Sequence, residues 1–220
     1  AVNVAENSTA VTTVTSTDVD ASATATYSIV GGADAGKFAI DASTGALNFV
    51  NAPDYESPTD VGGNNVYDVT VQVSDGSLTD TQDIAVTVTN VNEAPVITSN
   101  GAGTTAAVNS AENSTAVTTV TSTDVDAGAT STYSIIGGAD AAKFTIDAST
   151  GALSFVSTPD FENKLDAGAD NVYDVTVQVS DGLGGADTQD IAVTVTNVNE
   201  APVISSNGAS TTAALNVAEN

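Results

Sequence analysis

The run VYDVTVQVSDG at 66–76 recurs letter for letter at 172–182. Within it Tyr67, Val69, Val71 and Val73 alternate with polar residues, the period of a strand with one face in a core and one in water. A Ser-Asp-Gly turn signal closes the run. The block that follows, DTQDIAVTVTNVNEAPV at 80–96, alternates again at Ile84, Val86 and Val88 and recurs at 187–203. Upstream, AENSTAVTTVTSTDVD at 5–20 returns unchanged at 111–126. The offset between copies is 106 residues up to Gly76 and 107 beyond it.

That period exceeds the roughly 20–50 residues of a solenoid unit and suits a small independent domain. Shorter alternating pieces lie at 2–5, 10–15, 27–30, 37–40 and 45–50. Turn chemistry separates them at Gly31-Gly32, in DASTG at 41–45 and at Gly62-Gly63. The count is about seven strands per repeat, with no amphipathic helical stretch of useful length. The pattern reads as a two-sheet antiparallel sandwich. Tyr27, Ile29, Phe38, Ile40, Leu47, Phe49 and Tyr67, with their partners 106 residues on, fall on the inward positions and fill it.

Composition narrows the function classes. The 220 residues carry 28 acids against three lysines, Lys37, Lys143 and Lys164, for a formal charge of −25. Binding to nucleic acid or to anionic lipid needs the opposite sign. With no Cys, His, Met or Trp, the chain lacks disulfides, soft metal ligands and the usual nucleophile-plus-base pairs. We therefore expect no enzyme, no catalytic residues and no organic cofactor. No apolar run approaches the roughly 18–20 residues of a membrane helix, so no membrane insertion is expected.

The acids concentrate in short motifs at strand ends: AEN (Glu6, Glu112, Glu219), DVD (Asp18/Asp20, Asp124/Asp126), PDYE or PDFE (Asp54/Glu56, Asp160/Glu162), VSDG (Asp75, Asp181) and NVNEAP (Asn90, Asn92, Glu93; Asn197, Asn199, Glu200). In this order, with Phe-x-Ile-Asp and Thr-Gly-x-Leu between them, they resemble the cadherin repeat in its bacterial cadherin-like form, over essentially the whole chain. The resemblance implies an all-β fold of tandem seven-stranded Greek-key β-sandwiches, cadherin- or immunoglobulin-like, placed end to end. The expected domains are 1–93 (a repeat truncated at its N-terminus), 94–200, and the start of a third repeat at 201–220.

The resemblance further implies Ca2+ between consecutive repeats. Carried over by motif, a complete junction takes Glu6, Asp54, Glu56, Asn90, Asn92 and Glu93 with Asp124, Asp126 and Asp181. Half-sites take Asp18, Asp20 and Asp75 toward a preceding repeat, and Glu112, Asp160, Glu162, Asn197, Asn199 and Glu200 toward a following one. The linker departs from the family pattern at Asn90, where Asp is usual, and is one residue shorter. The chemistry agrees: calcium takes six to eight oxygens, which Asp, Glu and Asn supply.

Bland readings stand beside these. Asp75 and Asp181 precede glycines and suit plain turns; Asn90 and Asn92 equally suit turn positions; Asp41 and Asp147 suit Asx-turns. Asp60, Asp68, Asp80, Asp83 and their equivalents read as solvated surface. DVDASA lacks the glycine and glutamate of an EF-hand loop. The function expected is a calcium-rigidified adhesive or structural segment of a long secreted or surface-attached bacterial adhesin or biofilm filament. Its partners are neighbouring repeats, like chains or surface polysaccharide. The alternative is a carbohydrate- or protein-binding module using an exposed sandwich face, which would need outward aromatics.

Overall fold

The computed structural model describes residues 1–20, 24–206 and 212. Most of the expected third repeat at 201–220, Glu219 included, lies outside the described residues. The chain divides into two compact units: Ala1–Glu93 with Val125–Ala127, and Ala94–Asp124 with Gly128–Asn220.

Unit 1 is built from β1 (Val2–Ala5), β2 (Ala10–Thr13), β3 (Thr26–Gly31), β4 (Phe38–Ile40), β5 (Ala46–Phe49), β6 (Val66–Ser74) and β7 (Thr79–Thr89). They form a four-stranded sheet in the order β1-β7-β6-β3 and a three-stranded sheet in the order β2-β5-β4. The chain switches sheets after β1, β2, β3 and β5, so the connections cross over the core rather than run as a meander. β1 lies parallel to β7, with Val2 opposite Val86 and Ala5 opposite Thr89. The β6–β7 hairpin runs antiparallel from Val66 opposite Thr87 to Ser74 opposite Thr79.

Alternation sends Tyr67, Val69 and Val71 of β6 and Ile84, Val86 and Val88 of β7 inward, where they meet Phe38, Leu47 and Phe49 of the other sheet. Phe38 stacks on Phe49 at 4.6 Å between ring centres, and Tyr67 meets Phe49 edge-on at 5.2 Å. The buried Tyr67 hydroxyl is satisfied by the Thr59 N–H at 3.1 Å. Next to a bulge between Ile29 and Gly31, Gly32 turns with φ +102°, and any side chain there would collide with the Asp68 carbonyl and Val69 Cα. Only glycine fits that approach.

Unit 2 repeats the plan with β9 (Thr105–Ala111), β10 (Ala116–Thr119), β12 (Thr132–Gly137), β13 (Phe144–Ile146), β14 (Ala152–Phe155), β15 (Val172–Ser180) and β16 (Ala186–Thr196). Its sheets are β12-β15-β16-β9 and β10-β14-β13. It adds a two-stranded piece absent from the sequence reading, β8 (Val96–Ile97) against β11 (Ser122–Thr123). Two residues per strand are too few to show a period. A single 3₁₀ turn precedes β4 and another β13. No helix among the described residues is long and apolar enough to cross a membrane.

The expectation for Asp60 and Asp166 needs correction, because both are buried, at 7% and 6% exposure. Burial opposes charge at Asp60, yet the N–H groups of Asn64 and Asn65, each at 3.0 Å, outweigh it and hold the carboxyl below the usual range. Asp34, buried beside the first 3₁₀ turn, accepts the N–H of Val61 at 2.8 Å and of Asp68 at 2.9 Å, pinning the loop before β6. These acids staple loops from inside, and their lone pairs are spent on backbone amides.

Leu47 is 1% exposed and Val30 is 51% exposed. Leu47→Ala should cost about 2–5 kcal/mol, whereas Val30→Ala should stay within about 0.5 kcal/mol. Urea unfolding followed by circular dichroism checks this; equal midpoints for the two variants would contradict the core assignment.

Candidate metal centre

Just after β1 the chain turns at Asn7, whose φ of +59° is a left-handed conformation that asparagine tolerates. This turn buries Glu6 to 3% exposure. Its carboxylate joins two loops: Oε2 accepts the Tyr55 N–H and Oε1 the Val91 N–H, both at 2.8 Å. Asn65 holds the same loop from the other side by donating to the Tyr55 carbonyl at 2.8 Å. The loop and linker so fixed carry Glu56 and Glu93, and carboxylate oxygens of Glu6, Glu56 and Glu93 lie within 4.8 Å of one another.

Further acids and amides surround them. The segment Val125–Ala127 belongs to unit 1. In it, Asp126 accepts the Asn90 side-chain amide at 2.7 Å and the Glu93 N–H at 2.8 Å. Asn7 donates to Glu93 Oε1 at 3.1 Å. Glu93 Oε2 is buried with no hydrogen-bond partner. Two carboxylates at such a spacing repel by about 3 kcal/mol at an effective dielectric near 20. Desolvation first, then repulsion from Glu6, Glu93 and Asp126, raises the Glu56 pKa; desolvation and Glu6 likewise raise Glu93. An all-oxygen set with an unsatisfied buried carboxylate oxygen fits a hard cation and not a soft one.

Unit 2 repeats the constellation with Glu112, Glu162 and Glu200 within the same 4.8 Å. Glu112 accepts the N–H groups of Phe161 and Val198, and Asn113 donates to Glu200 at 2.9 Å. Backbone bonds from Val198 and Phe161 lower the Glu112 pKa, while desolvation followed by Glu112, Glu200 and Asp160 raises that of Glu162. One difference stands out. Where Asn90 donates to Asp126, Asn197 donates to Glu162 at 2.6 Å.

The remaining expected ligands are placed as follows. Asp54 accepts the Ser57 N–H at 3.0 Å, and Asp160 the N–H groups of Glu162 and Asn163. Asn92 donates to the Glu93 carbonyl at 3.1 Å, and Asn199 is exposed at the same point of unit 2. Asp18 accepts the Asp20 N–H at 2.8 Å in an exposed segment. Asp75 takes the N–H groups of Ser77 and Leu78, and Asp181 those of Leu183, Gly184 and Gly185, so both shape turns. Asp124 and Asp181 lie on unit 2. The sequence reading missed Asn7 and Asn113; their signal was the Glu-Asn pair that opens each copy.

Residues 1–89 and 104–198 match the family model of the cadherin domain. Protocadherin Fat 1 of Homo sapiens is 35% identical over 198 residues, 86% of this chain and 4% of the relative's own length. The crystal structure of the human protocadherin-24 EC1-2 fragment superposes with a TM-score of 0.58 at 20% identity, covering 90% of this chain and 94% of that one. Mouse cadherin-23 EC22-24 gives 0.54 at 23% identity over 90% of this chain and 63% of that one. The chain thus spans a small part of the curated relative it matches.

The shifted carboxyls set a pH dependence. Glu56 and Glu93 are raised in the fold, so the folded state binds more protons than the unfolded one, and stability rises as pH falls through their range. Asp41 is lowered to about 2 by the Ser43 hydroxyl and the Thr44 and Ser43 amides, so its contribution is present above the usual aspartate range and lost on acidification below it. Without divalent cations, melting should therefore move up from neutral pH to about 5 and down below about 4. Glu56→Gln with Glu93→Gln should flatten the first rise. An unchanged rise in that variant would assign the effect to the overall charge of −25 instead.

Proposed function

Since the chain belongs to the cadherin family, we propose that it is a calcium-rigidified adhesive or spacer segment of an extracellular protein. The carrying observation is the cluster of Glu6, Glu56 and Glu93, beside Asp126, with Glu93 Oε2 buried and unsatisfied. When bound, a calcium ion supplies positive charge and six to eight positions for oxygen. Glu6, clamped by two amides, orients the site; Glu56 and Glu93 bring charge from a loop and from the linker. Asp54, Asn90 and Asn92 complete the set on unit 1, and Asp124 and Asp181 are proposed with them from the family pattern. Glu112, Asp160, Glu162, Asn197, Asn199 and Glu200 form the corresponding set on unit 2, and Asp18, Asp20 and Asp75 a further half-site.

Holding the Asn7 turn, the Tyr55 loop and the Glu93 linker to one ion would stiffen the segments that repulsion otherwise drives apart. Adhesive rather than catalytic use fits the family. The bacterial adhesin and biofilm setting rests on lysine scarcity and repeat identity alone, since the relatives are animal proteins. A sugar-binding face gains no support: Tyr27, Phe38, Phe49 and Tyr67 are buried, and among the described residues Tyr55 is the aromatic left exposed, at 38%. Association with neighbouring repeats or like chains remains part of the proposal.

At about 10 mM calcium, a site with a dissociation constant of about 10⁻⁴–10⁻³ M should stabilise the fold by roughly 1.4–2.7 kcal/mol. Melting should shift upward by several degrees, much less with magnesium at equal ionic strength. Glu93→Gln with Asp126→Asn should remove most of the shift, and Asp83→Asn, on an exposed strand face, should not. Identical shifts with both ions would mean charge screening and would overturn the calcium reading.

A further inference from the structure

The loop at 98–104, which carries the chain from β8 into β9 of unit 2, holds a motif that the metal centre leaves unused. Residues Ser99, Asn100, Gly101 and Ala102 form a tight turn, closed by the Ala102 N–H donating to the Ser99 carbonyl at 3.0 Å. Both central residues sit at positive φ, +53° for Asn100 and +92° for Gly101, the geometry for which Asn-Gly is a preferred pair. That pair is also chemically fragile. Because glycine has no side chain to crowd the approach, its backbone nitrogen readily reaches the side-chain amide carbon of the asparagine before it. A second Asn-Gly pair, at 207–208, lies outside the described residues.

Asn100 is half-buried, and both ends of its amide are tied. Its Nδ2 donates to Gln189 Oε1 at 3.1 Å, and its Oδ1 accepts the Thr118 hydroxyl at 2.9 Å. Gln189 lies in β16 at 0% exposure, and its own Nε2 donates to the Gly103 carbonyl at 2.8 Å and the Ser99 carbonyl at 3.4 Å. The three side chains lock the loop to β10 and to a central strand of the four-stranded sheet.

We propose that Asn100 is a site of spontaneous deamidation that the folded unit holds closed, and that its conversion to aspartate or isoaspartate unlocks this loop. In the reaction the Gly101 nitrogen gives its proton to hydroxide and attacks Asn100 Cγ. The new C–N bond closes a five-membered succinimide as the Cγ–Nδ2 bond breaks, and ammonia leaves with a proton taken from water. Water then opens the ring at either carbonyl, giving aspartate or, with the backbone rerouted through the side chain, isoaspartate. Attack requires Cγ to swing toward Gly101, which the bonds to Gln189 and Thr118 prevent until the loop opens. The product cannot restore the lock. An aspartate oxygen in place of Nδ2 faces Gln189 Oε1, acceptor against acceptor, and Gln189 cannot reverse its amide without losing its bond to Gly103. Isoaspartate lengthens the backbone inside the turn and breaks its closing bond. Neither a cation nor an enzyme takes part, so the site is independent of the metal centre.

Incubating the whole chain in mildly alkaline buffer, either folded or in concentrated urea, and then mapping its peptides by mass tests this; the mapping separates Asn100 from Asn207. Conversion at Asn100 should run at least about tenfold slower in the folded chain. Thr118→Val removes one of the two bonds on the amide while keeping the side-chain shape. It should speed the folded reaction about fivefold with an unchanged circular dichroism spectrum. Asn100→Asp should melt about 4–8 °C below Asn109→Asp, the same charge change at an exposed position of β9. Equal rates in buffer and urea would overturn the proposal, as would a folded Thr118→Val chain that reacts no faster than the parent. Equal melting of the two aspartate variants would show that the amide does not lock the loop, and would overturn it as well.

Discussion

The bridge from Glu6 to the backbone amides of Tyr55 and Val91 is the contact on which the acidic end of unit 1 depends. One carboxylate at the end of a four-residue strand draws a loop and a linker to the same point. Both segments bring acids with them. The bridge satisfies two backbone donors while crowding Glu56 and Glu93 against a third negative charge. Glu112 repeats it with Phe161 and Val198, so the arrangement is a property of the repeat and not an accident of one copy.

Two uses of buried acid therefore coexist. Asp34, Asp60, Asp140 and Asp166 spend their oxygens on loop amides and serve as staples. Glu93 instead keeps a buried oxygen without a partner, in a set whose members repel. The distinction lies in hydrogen-bond saturation, since a satisfied carboxylate is stable in the fold and an unsatisfied one calls for a cation.

The burial of a residue within a motif depends on what covers it as well as on the motif itself. Val14 and Val120 stand in the same motif, and one is half-covered while the other is 0% exposed. The cover comes from two residues, Val96 and Ile97, lying far from Val120 in the chain. A strand so short has no readable period, and its place depends on contacts between residues distant in sequence.

The strand alternation at 66–74 and 79–89, the repeat period, the inward aromatics and the acidic motifs at strand ends were legible in the sequence, because a period of two and a turn signal are local properties. The sequence by itself determined an all-β chain of repeated sandwiches and the residue types able to hold a hard cation. Only the tertiary structure decided which acids converge. Glu6, Glu56 and Glu93 meet because backbone amides pull their segments together, whereas Asp60, of the same charge, turns inward to bind Asn64 and Asn65. Charge and spacing name the candidates, but the partners that satisfy or strand each oxygen come from residues brought together by folding.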